Sequence, residues 1–114
     1  MSGRTNSAPA PEPNWQALLP VARELERWVN ALPALTVEAR ETWGEFAERQ
    51  RRGEAALAAR LQRMPGCTIA ISPQGLKTSL VLAGVEAASF SGLAGVCREW
   101  IAQVREEAIR GRAG

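Results

Sequence analysis

Apolar residues recur along this chain with two different periods. Trp15, Leu18, Ala22, Leu25, Val29 and Leu32 follow one another at alternating gaps of three and four, the spacing that lines apolar side chains along one face of a helix. Asn14 is placed to cap that helix and Pro33 to end it. Pro20 falls inside the pattern, so the helix either kinks there or opens its main body at that proline. A second helical phase, with Thr36 as its expected cap, runs from Val37 through Ala39, Trp43, Phe46, Gly53, Leu57, Leu61 and Met64 to the stop at Pro65-Gly66. The phase survives Gly53, which favours one helix over residues 37–64 and leaves a break at Arg52-Gly53 as the alternative.

At Cys67 the period changes to two. Cys67, Ile69 and Ile71 alternate with Thr68, Ala70 and Ser72, as in a half-buried strand. Ser72-Pro73-Gln74-Gly75 supplies turn residues. In the strand that follows, Leu76, Thr78, Leu80 and Leu82 share one face while Lys77, Ser79 and Val81 share the other. After Gly84 a short connector leads to a last helix, capped by Ser89 or Ser91, with Phe90, Leu93, Cys97, Trp100, Ile101, Val104 and Ala108 on its apolar face and Gly111 at its close. The expected fold class is therefore α+β, in the order α-α-β-β-α, with long amphipathic helices packed on a two-stranded antiparallel hairpin. Residues 1–13, small, polar and proline-rich, read as a disordered arm, residues 14–110 as one compact domain, and 111–114 as a flexible tail.

Composition narrows the chemistry mainly through what is missing. In 114 residues there is no His, and the formal net charge is +2. Asp and Tyr are also absent from the sequence. Without His, nucleophile–His pairs and the commonest general base are excluded. Cys67 and Cys97 cannot complete a zinc site of the usual ligand set, and their apolar phases read as reduced, buried thiols. No glutamate pair has a spacing suited to acid–base work. The expectation is no enzymatic activity, no catalytic residue, no metal and no cofactor. No apolar run approaches a membrane span and the N-terminus has no signal-peptide core, so the expected location is the cytoplasm. The excess of Arg over Lys suggests a bacterial or phage source.

Two segments resemble ligand sites and fail on context. Gly75-Leu76-Lys77-Thr78 lacks the spacing of a phosphate-binding loop and leads into a strand, where that loop needs a helix. Ser89-Phe90-Ser91-Gly92-Leu93-Ala94-Gly95 opens a helix and so offers N–H groups to an anion, and its Gly-x-x-Gly spacing echoes a KH-domain loop without the basic residues; small residues admitting close packing explain it better. Arg49, Arg52, Arg60 and Arg63 share a helix sector with Glu38, Glu41, Glu45 and Glu48, which favours helix-stabilising pairs, Glu45 with Arg49 and Glu48 with Arg52. Arg51, Arg60 and Arg63 lack a Glu four residues earlier. Trp28 flanks the first helix's seam, and Val81 and Lys77 lie on the hairpin's outer face.

The functional expectation is a small protein-binding module acting as an inhibitor, adaptor or assembly factor, such as a phage or mobile-element inhibitor of a bacterial machine, an anti-CRISPR for instance. The alternative is a nucleic-acid-binding accessory protein using the Arg-rich part of the second helix. Candidate partner-binding residues are Trp28, Val81, Lys77, Arg51, Arg60 and Arg63. A homodimer through the hairpin edge or helix faces is left open.

Overall fold

The computed structural model describes residues 13–32 and 40–113. The expected arm, the Thr36 cap and the turn beyond Leu32 fall largely or wholly outside these. Helix α1 spans Trp15–Asn30, α2 Trp43–Gln62 and α3 Gly92–Ala113. Strands β1 (Thr68–Ile71), β2 (Thr78–Leu82) and β3 (Val85–Ser89) form one antiparallel sheet in the order β1-β2-β3. The fold is mixed α+β.

Helix α1 starts where Asn14 accepts a hydrogen bond from the Ala17 N–H at 3.2 Å, and it runs through Pro20. Pro20 is the sixth residue of the helix, so the helix forgoes the one bond that an N–H there would donate to the Gln16 carbonyl and continues past it. Ala22, Leu25 and Val29 are its buried residues, as the periodicity requires.

Helix α2 is shorter than expected. It begins at Trp43, because Arg40 has a φ of 68°, which no helix can pass through, and because Thr42 and Glu45 close a reciprocal capping box. Glu45 Oε1 accepts from the Thr42 N–H at 2.9 Å, and Thr42 Oγ1 accepts from the Glu45 N–H at 3.1 Å. The helix continues unbroken past Gly53, and only Leu57 and Leu61, near its end, are buried.

The sheet has a third strand where a connector was expected. Ala83 and Gly84, with φ of 54° and 79°, form a two-residue turn whose positive φ values match the right-handed twist of a hairpin. Leu82 therefore pairs with Val85 and Leu80 with Ala87, and Val85 and Ala87 enter the core beside Leu80 and Leu82. The β1–β2 turn matches the reading of Ser72–Gly75: Gly75 N–H donates to the Ser72 carbonyl at 2.8 Å, and Ser72 Oγ accepts from the N–H groups of Leu76 and Lys77.

Helix α3 organises the core, packing against α1 and against β2 and β3. Leu93, Val96, Cys97, Trp100, Ile101, Val104 and Ala108 are buried, and the Trp100 indole donates to the Leu82 carbonyl at 3.2 Å, so its one polar atom is satisfied inside the core. Phe90, expected on this face, is instead 77% exposed. The helix begins only at Gly92, whose φ is +78°, so Phe90 precedes it and escapes its phase. At the other end α3 runs past Gly111 to Ala113. Arg105 clamps Glu26 of α1 with bonds of 3.0 and 2.9 Å, and Gln16 Nε2 donates to the Ala108 carbonyl at 2.7 Å. These contacts fix α1 antiparallel to α3.

Candidate interaction surface

The first half of α2 lies outside the core cluster. Trp43 at its first position is 76% exposed. The Trp43 and Phe46 rings meet edge to face, with centroids 5.8 Å apart at 88°, a preferred aromatic geometry. The Arg49 guanidinium lies over the Phe46 ring at 5.4 Å. Arg49 is itself held by Glu41, through Nε to Oε2 at 2.9 Å and Nη2 to Oε1 at 2.9 Å. The result is a row Glu41–Arg49–Phe46–Trp43 in which each group is positioned by its neighbour and the last one faces solvent. Beside it runs a groove of about 810 Å³ lined by Thr42, Gly44, Glu45, Glu48, Arg49, Arg52 and Gly53. Its carboxylates are already engaged: Glu45 in the cap, and Glu48 with Arg51 at 2.7 Å and Arg52 at 3.5 Å.

The residues singled out in the sequence fall into three places. Trp28 and Arg60 come together, the guanidinium 5.7 Å from the indole ring, and the Trp28 Nε1–H donates to Glu24 at 3.2 Å. Trp28 is half-buried against the core, so it joins α1 to α2. Arg51 and Arg63 are exposed on α2 and its C-cap. Arg51 finds its carboxylate three residues back, at Glu48, although no Glu stands four back. The expected Glu48–Arg52 pair forms, whereas Glu45 is taken by the cap and Arg49 by Glu41. Val81, half-buried, and Lys77, exposed, belong to the hairpin and are not brought next to the α2 residues by any described contact.

The start of α3 has an anion of its own. A Cβ built on Gly92 would stand 3.3 Å from Glu54 Oε2, so a carboxylate from α2 lies at the helix N-terminus, where negative charge is favoured. Gly95 is required by packing: a Cβ there would come within 2.5 Å of Ser91 Cβ and 2.8 Å of Ser89 Oγ. The small residues of this segment thus admit a tight strand-to-helix corner.

Cys67 and Cys97 are both free thiols, the first half-buried and the second buried. Burial pushes the Cys97 thiol up to about 12, with the nearby Cys67 adding to the shift; burial also raises Cys67. A thiol so far from ionisation is a poor nucleophile. Among the described residues no group of three or more His, Cys, Asp and Glu could hold a metal ion, and no helix is long and apolar enough to cross a membrane.

Trp43 was legible as apolar but assigned to the buried seam. The signal that places it at a helix start is Thr42-Trp43-Gly44-Glu45, a Thr and a Glu at capping-box spacing. No family model matches the chain, and comparison with curated proteins and with solved structures gave no match.

Proposed function

We propose that this protein is a small non-enzymatic protein-binding module that acts on its partner as an inhibitor, adaptor or assembly factor in a reducing cytoplasm. An inhibitor of a bacterial machine carried by a phage or mobile element, of the anti-CRISPR kind, suits its size and its lack of reactive side chains. One observation carries the reading: Trp43, 76% exposed, stands at the start of a helix half that contributes nothing to the core cluster of the described residues, and is held in place by Phe46. Exposing a tryptophan to water is unfavourable, and Trp and Arg are the residues on which protein interfaces concentrate their binding energy. The pairing of Arg49 with Glu41 and of Arg51 and Arg52 with Glu48 favours a protein partner over a phosphate backbone, which competes best for unpaired cations.

The test begins by isolating the partner from an extract of the native host and measuring its affinity for purified variants by calorimetry. Trp43→Ala is expected to weaken binding by at least about tenfold, as loss of a hot-spot residue does, with the melting temperature unchanged. The triple variant Arg51→Gln, Arg60→Gln, Arg63→Gln is expected to bind within about threefold of wild type, a loss below about 1 kcal/mol. A partner lost by the triple variant and retained by Trp43→Ala would sink the reading.

A further inference from the structure

Among the described residues the sheet has two unpaired edges, β1 and β3, and they differ. In the β1–β2 ladder, Ser72 N–H donates to the Lys77 carbonyl at 2.9 Å, and Ile69 pairs with Leu80 and Ile71 with Thr78. Antiparallel ladders alternate hydrogen-bonded and non-hydrogen-bonded pairs. Ser72, Ala70 and Thr68 therefore direct their backbone groups to β2, while the N–H and C=O of Ile69 and Ile71 point out of the sheet. Natural edges are guarded by charges, prolines or bulges. Thr68–Ile71 has none of these: it reads TIAI and pairs with β2 in an unbroken register. The β3 edge, by contrast, carries Glu86.

We propose that two copies of this chain pair through β1, antiparallel about a twofold axis centred on Ala70, to form a continuous six-stranded sheet. The register follows from the backbone groups on the page. Faces are preserved across a perpendicular twofold only if each residue meets one of its own parity, so the axis must pass through a residue. Centring on Ile71 would oppose Ile69 to the partner's Pro73, which has no N–H. Centring on Ile69 would oppose Ile71 to the partner's Cys67, whose N–H already donates to the Met64 carbonyl at 3.3 Å. Centring on Ala70 opposes Ile69 to the partner's Ile71, and Ile71 to the partner's Ile69, so every outward N–H and C=O of both residues is satisfied. Pairing then stops where Pro73 and Cys67 can add nothing.

The side chains favour the same register. Ile69 and Ile71 pair with Leu80 and Thr78, which are buried, so both isoleucines lie on the helix-covered face of the sheet. Yet Ile71 is 65% exposed, because α3, the helix packed on the sheet, covers β2 and β3. In the dimer each Ile71 packs beside the partner's Ile69, completing an apolar stripe across the join. On the outer face at the join Ala70 meets its own copy and Thr68 meets the partner copy's residue 72, a serine, and these side chains are too small to clash. So short a strand pair buries less than the roughly 1,200–2,000 Å² of a standard stable interface, and association is expected to depend on concentration.

The test is sedimentation velocity of the full chain under reducing conditions, from roughly 10 to 500 µM, the range suited to a weak interface. The expected mass rises from 12.3 kDa to about twice that, as a twofold pair requires. Ile71→Pro removes one outward N–H and leaves the β2 ladder intact; it is expected to remain monomeric throughout. Ala88→Pro makes the corresponding change on the β3 edge and is expected to dimerise like wild type. So is Trp43→Ala, which separates this proposal from the foreign-partner reading. A wild type monomeric at the highest concentration, or a dimer lost with Ala88→Pro and kept with Ile71→Pro, overturns it. Should Ile71→Pro fail to fold, amide exchange of the wild type decides: Ile69 and Ile71 N–H are expected to slow as concentration rises, and no change with concentration overturns the proposal.

Discussion

Cys97 shows how one buried side chain sets the protein's response to alkali. Its side chain is fully enclosed, at 0% exposure, so forming a thiolate there means placing a charge where water cannot reach it, and the thiol is held up to about 12 against an ordinary value of 9.0. In the unfolded chain the same thiol ionises near 9. Above that pH the unfolded state binds fewer protons than the folded one, so stability is fully present below 9 and is lost as pH rises toward 12, by about 1.4 kcal/mol per pH unit. Urea titrations of the reduced protein at pH 8 to 11 are expected to show this fall for wild type. Cys97→Ala is expected to start less stable, through lost packing, and to show a shallower fall. The difference in slope between the two proteins reports the Cys97 thiol. Equal slopes would mean that Cys97 is reachable by water in the folded state.

The elements were legible where side-chain period and end signals agreed, as in α1 and in the β1–β2 hairpin. They were misread where an end signal was ambiguous. Thr36 and Thr42 can both cap a helix, and only Thr42 has a Glu three residues on, which is why α2 begins at Trp43. The third strand escaped notice because Ala83-Gly84 is a poor version of the turn it makes: both residues have positive φ, and alanine there carries the steric penalty of the left-handed region, about 1–2 kcal/mol, that asparagine largely avoids. Strand β3 itself, VEAAS, is held by inward Val85 and Ala87 against β2 and α3, a tertiary cause that local propensity cannot reveal. Ala83→Asn is accordingly expected to stabilise the fold by about 0.5–1 kcal/mol, read as a raised urea midpoint with unchanged m-value. A lowered midpoint would show that the hairpin turn is not strained at Ala83. The candidate surface was less legible than the fold, because exposure of Trp43 depends on how much of α2 the core covers, and that is set by packing at Leu57 and Leu61.

At the scale of the whole molecule, charge is the property on which the two proposed kinds of partner differ. A net charge of +2 from 14 basic and 12 acidic residues gives little long-range attraction for a polyanion, and the local arrangement reduces it further. Arg27 pairs with Glu24, Arg49 with Glu41, Arg51 and Arg52 with Glu48, Arg105 with Glu26, and Arg110 with Glu106 and Glu107. Arg60 is laid over Trp28. The Arg-rich run of α2 is thus interleaved with carboxylates at the spacing of single turns, so a phosphate approaching Arg51 or Arg52 also approaches Glu48. Counterion release, which drives non-specific binding to nucleic acid, requires cations whose charge is not already compensated. The expected outcome is no duplex or single-strand binding at roughly 0.15 M salt and micromolar protein, measured by fluorescence anisotropy of labelled oligonucleotides. If a complex did form, its salt dependence would identify its origin. Contacts through Arg51, Arg60 and Arg63 would add about 0.9 each to the slope of log affinity against log salt, and replacing all three by Gln would remove that share. A saturable complex whose slope falls by nearly three contacts' worth in the triple variant would overturn the proposed Trp43 surface in favour of the arginines of α2.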